Sequence, residues 1–390
     1  MHFTDPLTQT VLVFLLSVAI TAISIPTIVR VAKVKQLVDI PNGRTSHSGM
    51  IPSLGGFAIF VAISISLLIF VDFQTNPGIQ YLLVGLLIIF FIGLKDDILV
   101  IDPKKKLLAQ IVAAGLLIFL GDVHFTSLHG FLGIHEIPPV VGYPLTLFVI
   151  IVITNSFNLI DGIDGLAAGI GILISLLLGI WFYYIGHYQL AIIALAFTGA
   201  YIGFFYFNIS KGNNKIFMGD TGSLILGFTL AFLIIHFNEL NLVEQKMNFA
   251  SAPAVSFGIF IVPLFDTARV FLLRTLRGKS PFNPDKQHVH HRLLHMHDSH
   301  LKTSGIIIGF NVLFIAMVVV LQHLHIIELM AVELTVAGFF SYLPVLLIRR
   351  KARIENIPYS AIEDIEAAMS QSHSWKEEAK QKQYSEMEIN

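Results

Sequence analysis

The 390-residue chain contains no cysteine, which excludes disulfide bridges and thiolate metal sites from the outset. Charged side chains are scarce too, at 13% of residues against 55% hydrophobic. Soluble domains carry about 25% charged residues, and with a mean hydropathy of +0.75 this chain has too little polar surface for a water-exposed globule. A basic n-region ahead of the first apolar run is missing as well. That run, residues 9–29, is longer than a signal-peptide core and is followed by Arg30, Lys33 and Lys35, as expected of a retained first span with its N-terminus outside. The formal net charge of -1 says little, because the placement of the charges matters more than their sum.

What the chain has in abundance is long apolar runs. Segments able to cross about 30 Å of hydrocarbon fall at 9–31, 53–71, 79–94, 107–121, 143–157, 166–185, 190–207, 222–236, 252–273, 304–322 and 331–348. They predict an all-α, polytopic integral membrane protein of about eleven transmembrane helices. The runs at 79–94, 143–157 and 222–236 are short for a span, which leaves their ends or tilt open. If the N-terminus is outside and the spans alternate, the inner loops are 32–52, 95–106, 158–165, 208–221, 274–303 and the tail from 349. Every Lys and Arg except Lys246 then lies in an inner loop, in the tail or at an inner helix end, as the positive-inside rule requires.

The expected organisation is a membrane-embedded domain at 1–350 and a cytoplasmic tail at 351–390. The tail follows a basic run, RRKAR, and is read as a short amphipathic helix around Tyr359–Met369 before a charged, fraying end. The longest outer loop, Asp122–Gly142, alternates apolar and polar residues around His129-Gly130 and is expected to form a small hairpin without chemistry of its own.

The unusual polar motifs all fall on the inner side. NSFNLIDGIDGL, residues 155–166, runs on from an apolar segment yet carries Asn155, Asn158, Asp161 and Asp164 at intervals of three. A strict three-spacing winds round a helix of about 3.6 residues per turn, but Gly162 and Gly165 let the backbone unwind. The result is a cluster of carboxylate and amide oxygens suited to a hard cation such as Mg2+; a polar, capped helix end is the plainer alternative. Asp96 and Asp97 are adjacent carboxylates that repel each other unless a cation or hydrogen bonds intervene, and Lys104, Lys105 and Lys106 follow as groups suited to phosphate. In NISKGNNKIFMGDTGS, residues 208–223, Asp220 sits between glycines ahead of an apolar helix, as a metal or anion contact or as an N-cap. Phe217 offers an aromatic face for a base, or simple packing.

The last inner loop reads PFNPDKQHVHHRL, with His288, His290, His291 and Arg292 in one block. Imidazoles and a guanidinium together bind phosphate oxygens and sugar hydroxyls. A histidine zinc site is the rival, weakened by the lack of Cys and of a second cluster. Arg44 and His47 lie in a loop punctuated by Pro and Gly, and Asp266 and Arg269, three apart within the ninth span, are read as an ion pair.

Together these blocks resemble the polyprenyl-phosphate N-acetylaminosugar-1-phosphate transferases, and among them the bacterial undecaprenyl-phosphate N-acetylglucosamine-1-phosphate transferases. The resemblance covers the chain to about residue 350 and rests on Asp96-Asp97 with Lys106, NSFNLIDGIDGL, FMGDTGS and PFNPDKQHVHHRL, in the family's order. It implies a cytoplasmic-membrane enzyme that moves a sugar 1-phosphate from a UDP-N-acetylaminosugar to undecaprenyl phosphate and releases UMP, initiating a cell-surface polysaccharide. It further implies Mg2+ as cofactor, with Mn2+ able to substitute, bound by Asp220 with help from Asn158. Asp96, Asp97, Lys106 and Asp161 would be catalytic, Asp96 as a candidate base and Lys106 on phosphate. Asp164 and Phe217 would meet the uracil, and His288, His290, His291 and Arg292 the sugar phosphate. Membrane lipid is the expected surrounding partner, a homodimer is compatible with the family, and no nucleic acid partner is expected. Around Arg44 and His47 the correspondence is looser, and no role is assigned there.

Two rivals remain at this point. An ion-coupled transporter would use the same inner-side carboxylates, although it would place them nearer the membrane midplane. A CDP-alcohol phosphotransferase would begin its motif D-G-x-x-A-R, whereas Asp161-Gly162 is followed here by Ile163-Asp164-Gly165.

Overall fold

A computed structural model describes residues 5–37, 51–74, 77–244, 246–276, 278, 288–297 and 299–354. The loop around Arg44 and His47, the PFNPD stretch and the tail helix expected at Tyr359–Met369 lie outside the described residues. In chain order the helices are α1 (Pro6–Val34), α2 (Gly55–Phe70), α3 (Pro77–Ile98), α4 (Pro103–Phe119), α5 (Pro139–Ile160), α6 (Leu166–Ile185), α7 (Tyr188–Asn208), α8 (Gly219–Val243), α9 (Ala252–Ile259), α10 (Ile261–Leu276), α11 (Val289–His297), α12 (His300–Leu321) and α13 (Ile326–Ile354). Each of the eleven apolar runs falls on one of these helices, with 252–273 shared between α9 and α10. Eight helices among the described residues are long and apolar enough to cross a membrane, or nine if α9 and α10 form one bent span.

Local chemistry sets several boundaries. Asp5 caps α1 by accepting from Thr8 N (3.0 Å), with Pro6 at the first helical position. Asp102 does the same for α4 through Lys104 N (2.7 Å), followed by Pro103. The chain bends by 79° between α9 and α10. Pro263 explains the break, since it has no N–H for the carbonyl of Ile259 and its ring crowds that carbonyl.

Helix α8 is the centre of the bundle: 83% of its most apolar window is buried, and it packs against α2, α3, α5 and α6. Pairs of small polar groups tie neighbouring helices inside the apolar interior. Ser17 bonds Ser66 between α1 and α2, Ser175 meets Thr198 between α6 and α7, and Asn238 donates to Ser256 between α8 and α9, each at 2.8 Å. The hairpin expected in the loop before α5 is present as β1 (Ser127–Phe131) and β2 (Ile134–Glu136), paired antiparallel. Its reversal lies at Leu132-Gly133, while His129-Gly130 forms an irregularity within β1 where both residues have positive φ.

One interior group stands out energetically. Glu333 on α13 has no exposed surface, and neither carboxylate oxygen has a hydrogen-bond partner among the described residues. Burying an unsatisfied polar group costs about 1–3 kcal/mol. Glu333→Met, of similar length and apolar, is therefore expected to raise the melting temperature of the detergent-solubilised protein; a drop of several degrees would contradict an uncompensated carboxyl.

Candidate active site

The site forms where the ends of α3, α4, α5 and α8 meet. Its scaffold is the start of α8. Asp97, near the end of α3, accepts from Asp220 N (2.6 Å), Thr221 N (3.1 Å) and Thr221 Oγ1 (2.5 Å). A carboxylate on the first amides of a helix satisfies orphan donors and complements the helix dipole, so Asp97 caps α8 from a neighbouring helix. Asp220 itself is not the cap that its position also allowed. Met218 holds the N-cap position, and Asp220 lies inside the first turn, which leaves its carboxylate available. Gly219 makes this fit possible: its φ is +71°, and a Cβ there would strike Ser53 O and the Asp97 carboxylate. The loop before α2 is stitched to the same stretch by Phe217 N to Pro52 O (2.8 Å), Gly55 N to Phe217 O (2.9 Å) and Gly56 N to Met218 O (2.9 Å).

Lys106, in the first turn of α4, occupies the middle. Its ammonium donates to Asp220 Oδ2 (2.5 Å), Asp96 Oδ2 (3.1 Å) and Asn158 Oδ1 (3.5 Å), one acceptor from each of α8, α3 and α5. Asn158 Nδ2 donates in turn to Asp220 Oδ1 (2.7 Å) and Ser223 Oγ (2.9 Å), and Asp96 Oδ1 accepts from Ile101 N (2.8 Å). The Asp96 and Lys106 side chains are 12% and 14% exposed and that of Asp220 is 35%, so a ligand meets Asp220 first. Asn155 turns away to a paired amide contact with Gln110 (2.7 and 3.2 Å).

Asp161 follows the last residue of α5 and accepts no hydrogen bond among the described residues. Burial pushes its carboxyl well above the ordinary carboxylate range, and the nearby carboxylates of Asp220, Asp97 and Asp164 add to the rise. An unpaired acid facing several others is a ready site for a hard divalent cation, which would relieve their repulsion with oxygen ligands. Asp161, Asp220, Asp96 and Asn158 bring oxygen donors to this region, but among the described residues their acids are not drawn into a three-residue cluster as Asp266, His288 and His290 are.

Asp164 belongs to an adjoining cluster of side chains. Its Oδ2 accepts from Lys215 Nζ (2.5 Å), its backbone carbonyl accepts from Ser304 Oγ (2.7 Å), and His300 Nδ1 lies 3.7 Å from the carboxylate. Lys215 Nζ also stands 5.7 Å from the centroid of the half-buried Phe217 ring, so Asp164 and Phe217 share one cation. Within the histidine block, His288 and His290 are buried and face Asp266 on α10, with His288 Nδ1 2.9 Å and His290 Nδ1 4.0 Å from Asp266 Oδ2. Arg292 is half-buried on α11; His291 lies on the same helix, its side chain outside the described residues. The expected pair of Asp266 with Arg269 is present at 2.8 Å.

Lys215, His300, Ser304, Thr221 and Ser223 were not singled out from sequence. Lys215 and Ser223 lie within the quoted NISKGNNKIFMGDTGS stretch, so their neighbourhood was the available signal. His300 ends the histidine run that follows the block at 288–292 in sequence, whereas Ser304 carries no signal and reaches the site only by the packing of α12.

The fold and site define a polytopic membrane protein whose polar centre, a half-buried lysine bound to two carboxylates and an amide, is suited to meeting phosphate. Comparison with known proteins sharpens that class. A family model described as "Glycosyl transferase family 4" matches residues 79–238. The undecaprenyl-phosphate alpha-N-acetylglucosaminyl 1-phosphate transferase of Escherichia coli (strain K12) is 32% identical over 269 residues, 68% of this chain and 71% of that protein. The probable undecaprenyl-phosphate N-acetylglucosaminyl 1-phosphate transferase of Bacillus subtilis (strain 168) is 32% identical over 319 residues, 80% of this chain and 85% of that protein. A relative in Yersinia pestis is 30% identical over 290 residues, 74% and 76% of the two chains. The chain belongs to glycosyl transferase family 4, the membrane-embedded sugar-phosphate transferases.

The geometry separates two aspartates by role. Asp97→Ala removes all three acceptor contacts on α8 and is expected to cost about 1–3 kcal/mol, read as a lowered melting temperature. Asp220→Asn, which keeps the side chain's volume, is expected to stay within a few degrees of wild type. Equal melting temperatures for Asp97→Ala and wild type would contradict the capping role.

Proposed function

We propose that this protein transfers N-acetylglucosamine 1-phosphate from UDP-N-acetylglucosamine to undecaprenyl phosphate, at the cytoplasmic face of a bacterial inner membrane. The observation that carries the proposal is the convergence of Lys106 with Asp96, Asn158 and Asp220 at a membrane-helix boundary. In the reaction, an oxygen of the lipid phosphate attacks the sugar-bearing phosphorus of the UDP-sugar. A new P–O bond forms, the bond to the bridging oxygen breaks, and UMP leaves with that oxygen. Both reactants are anionic, so catalysis is mainly positioning and charge compensation.

Lys106 supplies fixed positive charge beside the transferred phosphate, and Asn158, itself anchored on Ser223 Oγ, holds the Asp220 carboxylate in place. Asp96, Asp161, Asp220 and Asn158 would hold Mg2+. When bound, the ion would neutralise diphosphate oxygens and stabilise the departing UMP. Asp97 acts through α8, as a positioning residue. Asp164 and Phe217 are proposed to recognise the uracil by hydrogen bonding and stacking, with Lys215 orienting both. His288, His290, His291 and Arg292 are proposed to face the sugar phosphate.

A narrow apolar cleft lined by Ile160, Leu166, Val262, Phe265, Phe310 and Phe340 lies beside His290 and is proposed to meet the first part of a prenyl chain. The transporter alternative draws no support from the relatives named above, each described as a transferase.

Purified protein given UDP-N-acetylglucosamine, undecaprenyl phosphate and Mg2+ is expected to release UMP and form a lipid-linked sugar, at rates above those with UDP-N-acetylgalactosamine. Release of no UMP with any UDP-sugar tried would refute the proposal. Asp220→Asn is expected to lower turnover at least about 100-fold while remaining folded; near-normal turnover would remove Asp220 from the centre. Because the raised Asp161 carboxyl must lose its proton to bind a cation, Mg2+ is expected to bind more tightly as pH rises across the range in which the protein stays folded, measured by calorimetry. Affinity constant over that range would argue against Asp161 as a ligand.

A further inference from the structure

Asp266 sits in the bent span and yet makes more polar contacts than a simple ion pair needs. Its Oδ1 accepts from Arg269 Nη2 (2.8 Å) and from the backbone N–H of Val289 (3.0 Å), the first residue of α11. Its Oδ2 faces His288 Nδ1 at 2.9 Å and His290 Nδ1 at 4.0 Å. All of the participating side chains except Arg269 are less than a tenth exposed, so these contacts are made away from competing water. One carboxylate on α10 therefore caps the start of α11, in the way Asp97 on α3 caps α8, holds the His288 imidazole by a hydrogen bond and attracts that of His290 across 4.0 Å.

The direction of that restraint matters. The two imidazoles lie nearly parallel, with centroids 5.5 Å apart and planes 16° apart, so fixing one limits the other. His290 Nε2, on the far side of its ring from Asp266, abuts the turn that carries Asp161: a Cβ built on Gly162 would come within 2.9 Å of it. The absence of a side chain at 162 thus makes room for the imidazole next to the carboxylate centre. A chain of contacts runs from Arg269 through Asp266 and His290 to the Asp161-Gly162 turn.

We infer that Asp266, braced by Arg269, is a positioning residue that holds the histidine block against the Asp161-Gly162 turn. This rests on the transferase reading only where it links the histidines to turnover. Asp266, His288 and His290 also offer ligand atoms within 4.8 Å of one another, close enough to share a metal ion. Arg269 already supplies the positive charge at Asp266, and a divalent cation there would face a guanidinium at short range, which favours the metal-free arrangement.

The test compares wild type with Asp266→Asn, Asp266→Ala, His290→Ala and Asp266→Ala/His290→Ala in the UMP-release assay, with zinc content and amide hydrogen exchange measured on each. Asp266→Asn keeps one acceptor for Val289 N–H and is expected to lower kcat about 10-fold with a melting temperature near wild type, whereas Asp266→Ala, which also loses the cap, is expected to lower kcat about 100-fold and to melt lower. If Asp266 works through His290, the double variant should fall within about threefold of His290→Ala, because residues acting as one unit are not additive. Losses that multiply, or full activity in Asp266→Ala, overturn the inference. Stoichiometric zinc in wild type that is lost in Asp266→Ala overturns it in favour of a metal site. Hydrogen exchange judges the tether without reference to activity: Asp266→Ala should deprotect 289–294 while leaving α8 unchanged, and unchanged protection of 289–294 overturns it. Should wild type release no UMP at all, the transferase reading fails and the exchange result alone decides the positioning role.

Discussion

A single ammonium group is the joint on which the polar centre depends. Lys106 reaches acceptors on three helices other than its own, and its ion pair with Asp96 is largely shielded from water, the two side chains being 14% and 12% exposed. Removing one partner of a buried ion pair costs about 3–5 kcal/mol, far more than the pair itself contributes over an apolar replacement. Such a contact is therefore poor as glue but strict as a locating device. It obliges the ends of α3, α4, α5 and α8 to meet in one arrangement, and it leaves a positive centre where a phosphate is to be handled.

The same economy appears twice in how helices begin. Asp97 and Asp266 each sit on one helix and satisfy the first amides of another, α8 and α11 respectively. A cap supplied from a neighbour couples the position of one helix to that of the next, so that Asp220 and the histidines inherit their placement from elements far away in the chain. The 79° break between α9 and α10 gives α10 the direction it needs to present Asp266. Apolar packing around α8 supplies the bulk of the fold, and these few charged contacts determine where its polar ends lie.

Much of this was legible in the sequence. The apolar runs marked the helices because a helix that crosses hydrocarbon has little freedom in composition. The motifs marked the site because ionisable residues at such boundaries are costly without a purpose. What one sequence could not convey is which of two chemically equivalent residues takes which task. Asp96 and Asp97 are neighbours, yet a turn of about 100° between successive helical residues sends one to Lys106 and the other to the α8 amides. Asp220 likewise looked as much like a cap as a ligand, and only the presence of Asp97 on the α8 amides releases it. Ser304 came from a helix stretch with no motif, brought to Asp164 by packing alone, and His300, the last of the histidine run, gave no hint in sequence that it would face Asp164.

A structure of the protein with UDP-N-acetylglucosamine and Mg2+ bound tests the central claim most directly. The diphosphate is expected within about 4 Å of Lys106, with the ion on Asp220 and the uracil beside Phe217. A nucleotide bound elsewhere, with Lys106 still enclosed by Asp96, Asn158 and Asp220, would contradict it.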